Sequence, residues 1–354
     1  MNAAGRTPRT GMRRILAWTL AILLTGCAGQ GGLSMHDQQL RQEFSRRESG
    51  PARFDGGAFI ADDGARLPMR AWLPAKGHVK AVVLALHGFN DYSNAFEGPG
   101  MAWEDAGIAT YAYDQRGFGE APERGRWVGA WRLAQDLAEA SRLLKARYPD
   151  KPLTIVGESM GAAVAIAGVT GTAGAENPTA DGYILMAPAV WGRADMNLFE
   201  RAALWMTYRL APGWTLSGQS LRILASDNIE MLRALGRDPL VIKATRVDTI
   251  SGLVDLMGLA LESGPKFDER ALLLYGAHDE VIPEAPVRQF MASLPAAGMG
   301  RRRIAYYKNG YHMLARDLEG SLVIADMQSW LLHPNAPLPS GADIDPPIVT
   351  ARNP

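Results

Sequence analysis

The chain has 354 residues with 37 Lys+Arg and 37 Asp+Glu, a formal net charge of zero, and so lacks the positive surplus with which a nucleic-acid binder displaces counterions. Hydrophobic residues at 47% and charged residues at 21% exclude wholesale disorder. A single cysteine, Cys27, excludes a disulfide framework, a thiolate zinc site and an iron–sulfur cluster built within one chain.

Arg6, Arg9, Arg13 and Arg14 precede an apolar run over residues 15–24, followed by Thr25-Gly26-Cys27. A basic start, a short apolar run and small residues before a cut form the pattern of a secretory signal. The run is shorter than the roughly 17–25 residues that cross a bilayer. Leu24-Thr25-Gly26-Cys27 resembles the bacterial lipobox, in which the cysteine is lipidated and becomes the mature N-terminus. That resemblance implies removal of residues 1–26 and acylation of Cys27, where each buried methylene adds about 0.8 kcal/mol of membrane attachment. Ala28 rather than Asp follows the cysteine, which implies the outer membrane of a Gram-negative cell. Residues 27–52 then read as a tether, loose at Gly29, Gly31 and Gly32 and with a short polar helix from about Asp37 to Glu48.

From Phe54 strand and helix signals alternate. Residues 58–61 and 69–73 flank the turn Asp62-Asp63-Gly64 and read as a hairpin. Residues 79–86, 110–113, 153–156, 183–186, 272–275 and 304–307 are apolar runs of the kind covered on both faces. Between them residues 127–148 show a helical stripe of Leu133, Leu137, Ala140, Leu144 and Tyr148, with Asp136, Glu139, Arg142 and Lys145 set apart from it. Such alternation predicts an α/β fold with a mostly parallel sheet and helices on both faces. Residues 191–265 interrupt it with helical patterns rich in Trp, Met and Leu and no clear strand, which reads as a cap over the carboxyl edge of the sheet, where such folds bind ligands. The core is therefore expected over 53–190 and 266–332, and the Pro-rich tail over 333–354 is expected to be extended or disordered. Arg301-Arg302-Arg303 reads as a solvated run.

Gly157-Glu158-Ser159-Met160-Gly161 follows the strand at 153–156 and precedes a helical run at 162–169. G-x-S-x-G in a strand–turn–helix setting is a nucleophile elbow, whose sharp turn leaves no room for side chains at its glycines. A serine hydroxyl needs a base to remove its proton. Past Ser159 stand His278, His312 and, in the tail, His333; His312 follows a strand and the turn Lys308-Asn309-Gly310, on a loop able to reach the elbow. Asp279 ends the strand at 272–275, where the orienting acid belongs, with Glu280 as its rival. His278, adjacent to Asp279, points the other way on extended backbone and reads as a structural or rim residue. Two backbone amides must receive the oxyanion, each contributing about 10²–10³ in rate. Met160 supplies one; the loop His87-Gly88-Phe89 supplies the other, expected from Phe89, with His87 pinning the turn.

His87-Gly88-Phe89, Asp114-Gln115-Arg116-Gly117-Phe118-Gly119, the elbow, Gly276-Ala277-His278-Asp279 and Tyr311-His312 occur in the order seen in α/β-hydrolases. With Asp238-Pro239-Leu240 they resemble the monoacylglycerol lipase and lysophospholipase branch, the serine aminopeptidase S33 type, from about Phe54 to Leu332. The resemblance implies an eight-stranded, mostly parallel sheet with a helical cap, a Ser159–Asp279–His312 triad, an Asp114–Gly119 loop with a structural role, and no cofactor or metal. It departs from the branch at Ala162 and at Met313-Leu314-Ala315-Arg316.

The expected activity is that of a membrane-tethered serine esterase acting on lipid or small acyl esters such as monoacylglycerols or lysophospholipids. Two alternatives are another chemistry of the same fold (a cofactor-free haloperoxidase or a carbon–carbon bond hydrolase) and a non-catalytic envelope lipoprotein. No nucleic-acid partner is expected, and nothing in the sequence specifies an oligomeric state.

Overall fold

The computed structural model describes residues 32–344 except 48, 76–77, 219–222 and 297–300; the signal segment and Cys27 lie outside them. The first helix, α1 (Met35–Phe44), is capped by Ser34, whose hydroxyl accepts from the Asp37 amide. The sequence predicts a short helix here, from about Asp37 to Glu48, but within a tether rather than seated on the body. Asp37 and Phe44 are buried, and Asp37 accepts from Trp127 Nε1 at 2.9 Å and the Ala130 amide at 3.2 Å. From Leu33 onward this stretch packs on the body of the protein.

Three strands follow, β1 (Arg53–Asp55), β2 (Ala58–Ile60) and β3 (Arg66–Trp72), each antiparallel to the next. Next come β4 (Ala81–Leu86), helix α2 (Glu97–Ala106) and β5 (Ile108–Tyr113). Helix α3 (Ala130–Arg147), β6 (Leu153–Glu158), α4 (Met160–Val169) and β7 (Gly182–Met186) continue the alternation. The interrupting region holds α5 (Leu198–Leu210), β8 (Thr215–Ser217), α6 (Ile229–Arg237), β9 (Ala244–Arg246) and α7 (Val247–Glu262). The chain closes with β10 (Ala271–Gly276), α8 (Glu284–Ser293), β11 (Arg302–Tyr307) and α9 (Gly320–Leu332).

The main sheet has nine strands, one more than expected, in the order β1-β2-β3-β5-β4-β6-β7-β10-β11. The additional strand is β1, three residues with charged ends and too short to show a period of two. From β5 across to β11 every pairing is parallel. Within β4 the side chains alternate: Val82, Leu84 and Leu86 enter one core and Ala81, Val83 and Ala85 the other. The first core is shared with α3, α4 and α7, the second with Trp103 of α2 and Val323, Met327 and Trp330 of α9.

Three readings of the sequence are corrected. The cap contains a two-stranded antiparallel ribbon, β8–β9, whose three-residue strands are exposed or mixed in pattern and leave no apolar run. Helix α7 buries Leu256, Leu259 and Ala260 in the sheet-side core and is the crossover from β7 to parallel β10 rather than part of a roof. The tail also folds back as far as it is described. Leu338 is buried, the Ser340 amide donates to Asp326 at 3.0 Å, and the Tyr306 amide donates to the Ala342 carbonyl at 2.9 Å. This covers the open edge of β11, which would otherwise present unpaired backbone. Arg301 and Arg303 pair with Asp268 and Asp343.

Candidate active site

In the order β5-β4-β6 the chain first winds to one side of β4 and then to the other. Such a switch point opens a crevice at the carboxyl ends of the two flanking strands, here β4 and β6. The loop after β4 carries His87-Gly88-Phe89, and the turn after β6 carries Ser159. A Cβ placed on Gly88 would lie 3.5 Å from Ser159 Cβ, so the two loops touch.

Ser159 takes φ +52° and ψ −112°, a region that non-glycine residues adopt only under strain and mainly at functional sites. The surroundings hold it there: its amide donates to Met186 O at 2.9 Å, and its carbonyl accepts from Ala162, Ala163 and Ala189. A Cβ on Gly157 would stand 2.5 Å from the Ala162 nitrogen, and one on Gly161 would overlap the Leu86 carbonyl oxygen. Helix α4 is lined with alanine and buried on every side, which lets it start this close to β4.

His312 Nδ1 and Asp279 Oδ2 are 2.8 Å apart. Asp279 Oδ1 accepts from the Val281 and Ile282 amides, both at 2.8 Å. With one oxygen fixed by backbone, the other is presented to the imidazole. Burial would lower the pKa of His312, but the Asp279 carboxylate and its hydrogen bond outweigh it, and the imidazole is held above its ordinary value. The loop of His312 is itself anchored. Asp317 accepts from the Tyr311 amide at 2.7 Å and from the Ser226 hydroxyl at 2.6 Å, and the Met313 amide donates to Ala225 O at 2.9 Å. Glu280 accepts from the Leu224 amide at 2.7 Å, so the rival acid is engaged on the cap side. His278 is exposed and stacks on Tyr311 with ring centroids 5.3 Å apart. Among the described residues neither Ser159 Oγ nor His312 Nε2 has a hydrogen-bond partner, while His312 Nδ1 is engaged by Asp279. In free enzymes such contacts are often long and tighten on substrate binding.

His87 is fully buried, as a pin for its turn requires. Nδ1 lies 2.8 Å from the Gly88 carbonyl and Nε2 accepts from the Gln115 amide at 2.9 Å. A carbonyl only accepts and an amide only donates, so the ring must be neutral with its proton on Nδ1; burial likewise lowers its pKa. The amides of Phe89 and Met160 donate to no carbonyl among the described residues. Met160 opens α4, and the first amides of a helix have no partner within it.

Two charge arrangements go beyond the sequence reading, which gave the arginine and acid of the Asp114–Gly119 loop a structural role without partners. Arg316 donates from Nη1 to Asp91 Oδ2 at 2.6 Å and from Nη2 to Glu158 Oε1 and Oε2 at 3.0 and 2.9 Å. The partners lie more than 150 positions apart in sequence, so no local spacing could reveal them. In a second network Arg116 bonds Asp63 through both terminal nitrogens and Asp136 through Nε at 2.7 Å, while Arg132 bonds Asp136, Glu139 and Asp62. Asp136 and Glu139 are thus buried, not turned to solvent beside the α3 stripe. Among the described residues no group of three or more His, Cys, Asp or Glu could hold a metal ion.

A family model described as serine aminopeptidase, S33 matches residues 77–319, which takes in the elbow, Asp279 and His312. The chain belongs to the serine aminopeptidase S33 family. Its S33 relatives include the monoglyceride lipase of Mus musculus, 26% identical over 285 residues, covering 77% of this chain and 88% of that protein. A Schizosaccharomyces pombe protein provisionally named a monoglyceride lipase is 27% identical over 260 residues, covering 71% of this chain and 66% of its own length. The fold matches the monoacylglycerol lipase of Paleococcus ferrophilus with a TM-score of 0.58 at 22% identity, covering 75% of this chain and 98% of that one. It also matches a soluble variant of the Saccharomyces cerevisiae monoglyceride lipase with a TM-score of 0.62 at 18% identity, covering 81% and 96%. The S33 chain described here is an α/β-hydrolase in architecture, with its strained serine at the switch point.

Proposed function

We propose that this protein is a membrane-anchored serine ester hydrolase that cleaves monoacylglycerols or lysophospholipids through an acyl-enzyme. The chain is an ester hydrolase by its kinship; the observation that carries the mechanism is the His312–Asp279 hydrogen bond at the same sheet edge as the strained Ser159. Ser159 Oγ attacks the ester carbonyl as His312 takes its proton, and the amides of Phe89 and Met160 receive the oxyanion. His312 then protonates the departing alcohol and activates the water that hydrolyses the acyl-enzyme. An acyl substrate is supported by the names of the relatives and by the cap, where Leu198, Phe199, Trp205, Met206, Leu210 and Trp214 are exposed. Anchoring through acylated Cys27, at the outer membrane of a Gram-negative host, rests on residues 24–27 of the sequence. No helix among the described residues is long and apolar enough to cross a membrane.

Turnover of a short p-nitrophenyl ester tests the mechanism: Ser159→Ala should lose about 10⁶ in kcat and keep its circular dichroism spectrum, and full activity would refute it. Hydrolysis profiled over monoacyl-, diacylglycerol and lysophospholipid tests the substrate class. Inertness to every ester, with Ser159 still labelled by a fluorophosphonate, would favour carbon–carbon bond hydrolysis. Cys27→Ala should release the protein from the membrane fraction, and unchanged fractionation would refute the anchor.

A further inference from the structure

Three loops meet at the site, and a single guanidinium touches all three. Arg316 lies four positions past His312; Glu158, which it binds with both carboxylate oxygens, immediately precedes Ser159; Asp91, its other partner, lies two positions past Phe89. All three side chains are largely shielded from water, at 13%, 5% and 6% exposure. Each carboxylate thus takes a charge-assisted bond in a medium where such bonds are strong and an unpaired charge is costly.

We infer that Arg316 is a positioning residue that holds the base, nucleophile and oxyanion loops in register and screens the Glu158 carboxylate from the His312 imidazole. This rests on the triad reading above. It goes beyond that reading because no triad needs a charged residue before its serine, and an acid at this place works against a neutral base unless it is neutralised. The charges facing His312 are Asp279 from the loop after β10, Glu158 from the elbow, and Arg316 from its own loop; the two carboxylates favour the imidazolium and the guanidinium opposes it. Asp317, also on that loop, is held by the Ser226 hydroxyl and the Tyr311 amide. The geometry therefore predicts opposite electrostatic effects from two partners of one ion pair. A role confined to packing predicts none.

The test uses the full-length protein and two readouts. The first is the NMR titration of His312, assigned among the six histidines by the signal lost in His312→Gln. The second is the pH profile of kcat/KM on a short p-nitrophenyl ester. Arg316→Met exposes the imidazole to an unscreened Glu158 and should raise the pKa of His312 by at least about half a unit. Glu158→Gln keeps an acceptor for Arg316 but removes the negative charge, and should lower it by a similar amount. The double variant should return near the parent value while kcat stays reduced tenfold or more with little change in KM. Arg316→Lys, which can reach one carboxylate but not hold both, should recover part of kcat. Shifts in the same direction, or no shift in either single variant, would overturn the inference. Because the titration does not depend on turnover, it separates this outcome from failure of the triad reading, which would show as undiminished activity in Ser159→Ala.

Discussion

Asp279 divides its carboxylate between two tasks: Oδ1 accepts the amides of Val281 and Ile282, and Oδ2 lies 2.8 Å from His312 Nδ1. The raised pKa of His312 sets the sign of the pH dependence. A general base works only when neutral, so the imidazolium that persists above the usual value of about 6.5 is the inactive form. Activity should rise with pH through an acidic limb above that value. Asp279→Asn removes the stabilising charge, should move the limb down and should reduce kcat by roughly 10³–10⁴. A limb that stays in place in Asp279→Asn would show that another group governs it.

Gly161 faces the carbonyl of Leu86 so closely that a methyl group would overlap it. Gly161→Ala must push α4 away from β4, and Met160 and Ser159 move with it. The overpacking should cost about 1–3 kcal/mol, and ester turnover should fall by at least tenfold because the oxyanion amide and the nucleophile shift together. Melting temperature and kcat/KM on the same preparation check both. A variant with parental turnover would mean that the elbow tolerates displacement.

Local signals made most of the sheet legible. The apolar runs at 153–156 and 272–275 became β6 and β10 because a strand buried on both faces needs nothing else to declare it. The elbow was equally legible, since its two glycines and serine lie within five residues and the turn forces their identity. Asp279 and His312 could be assigned by chain order, but only coordinates show that Asp279 is braced by two amides and that Glu280 is occupied elsewhere. Pairings that span the chain left no such trace. Asp136 and Glu139 lie off the α3 stripe with Arg132 on the same helix, but that all three are buried shows only once Arg116 and the Asp62-Asp63 turn are placed beside them. The same holds for Arg316 with Glu158.

That buried charge network should behave as an all-or-none element. Arg116 has no exposed side-chain surface and joins the Asp62-Asp63 turn to α3. Burial alone would raise the pKa of Asp63, but the Arg116 bonds outweigh it and hold the carboxyl below its usual range. A carboxylate with a depressed folded pKa contributes stability above the unfolded value, and that contribution is lost as pH falls through the folded one. Arg116→Met strands Asp63, leaves Asp136 to Arg132 alone, and should destabilise the fold by about 3–5 kcal/mol at pH 7. Its deficit should shrink below pH 4 as the stranded Asp63 takes up a proton. Urea denaturation at the two pH values measures this, and a constant deficit would argue for lost packing instead.

Asp37 gives the reverse sign. Burial raises its pKa, only partly offset by the hydrogen bond from Trp127. A carboxyl whose folded pKa lies above the unfolded value contributes stability below the unfolded value, and that contribution is lost as pH rises through the folded one. Asparagine keeps an oxygen for Trp127 Nε1 and the Ala130 amide while removing the buried charge, and its NH₂ can donate to the Ser34 hydroxyl that now sits 3.2 Å from Asp37 Oδ2. Asp37→Asn should therefore match or exceed the parent in melting temperature at pH 7. Asp37→Ala leaves both donors unsatisfied where α1 meets α3 and should lose about 1–3 kcal/mol. If asparagine proved as damaging as alanine, the carboxylate charge itself would be what holds α1 on the body, and the burial argument would fail at this position.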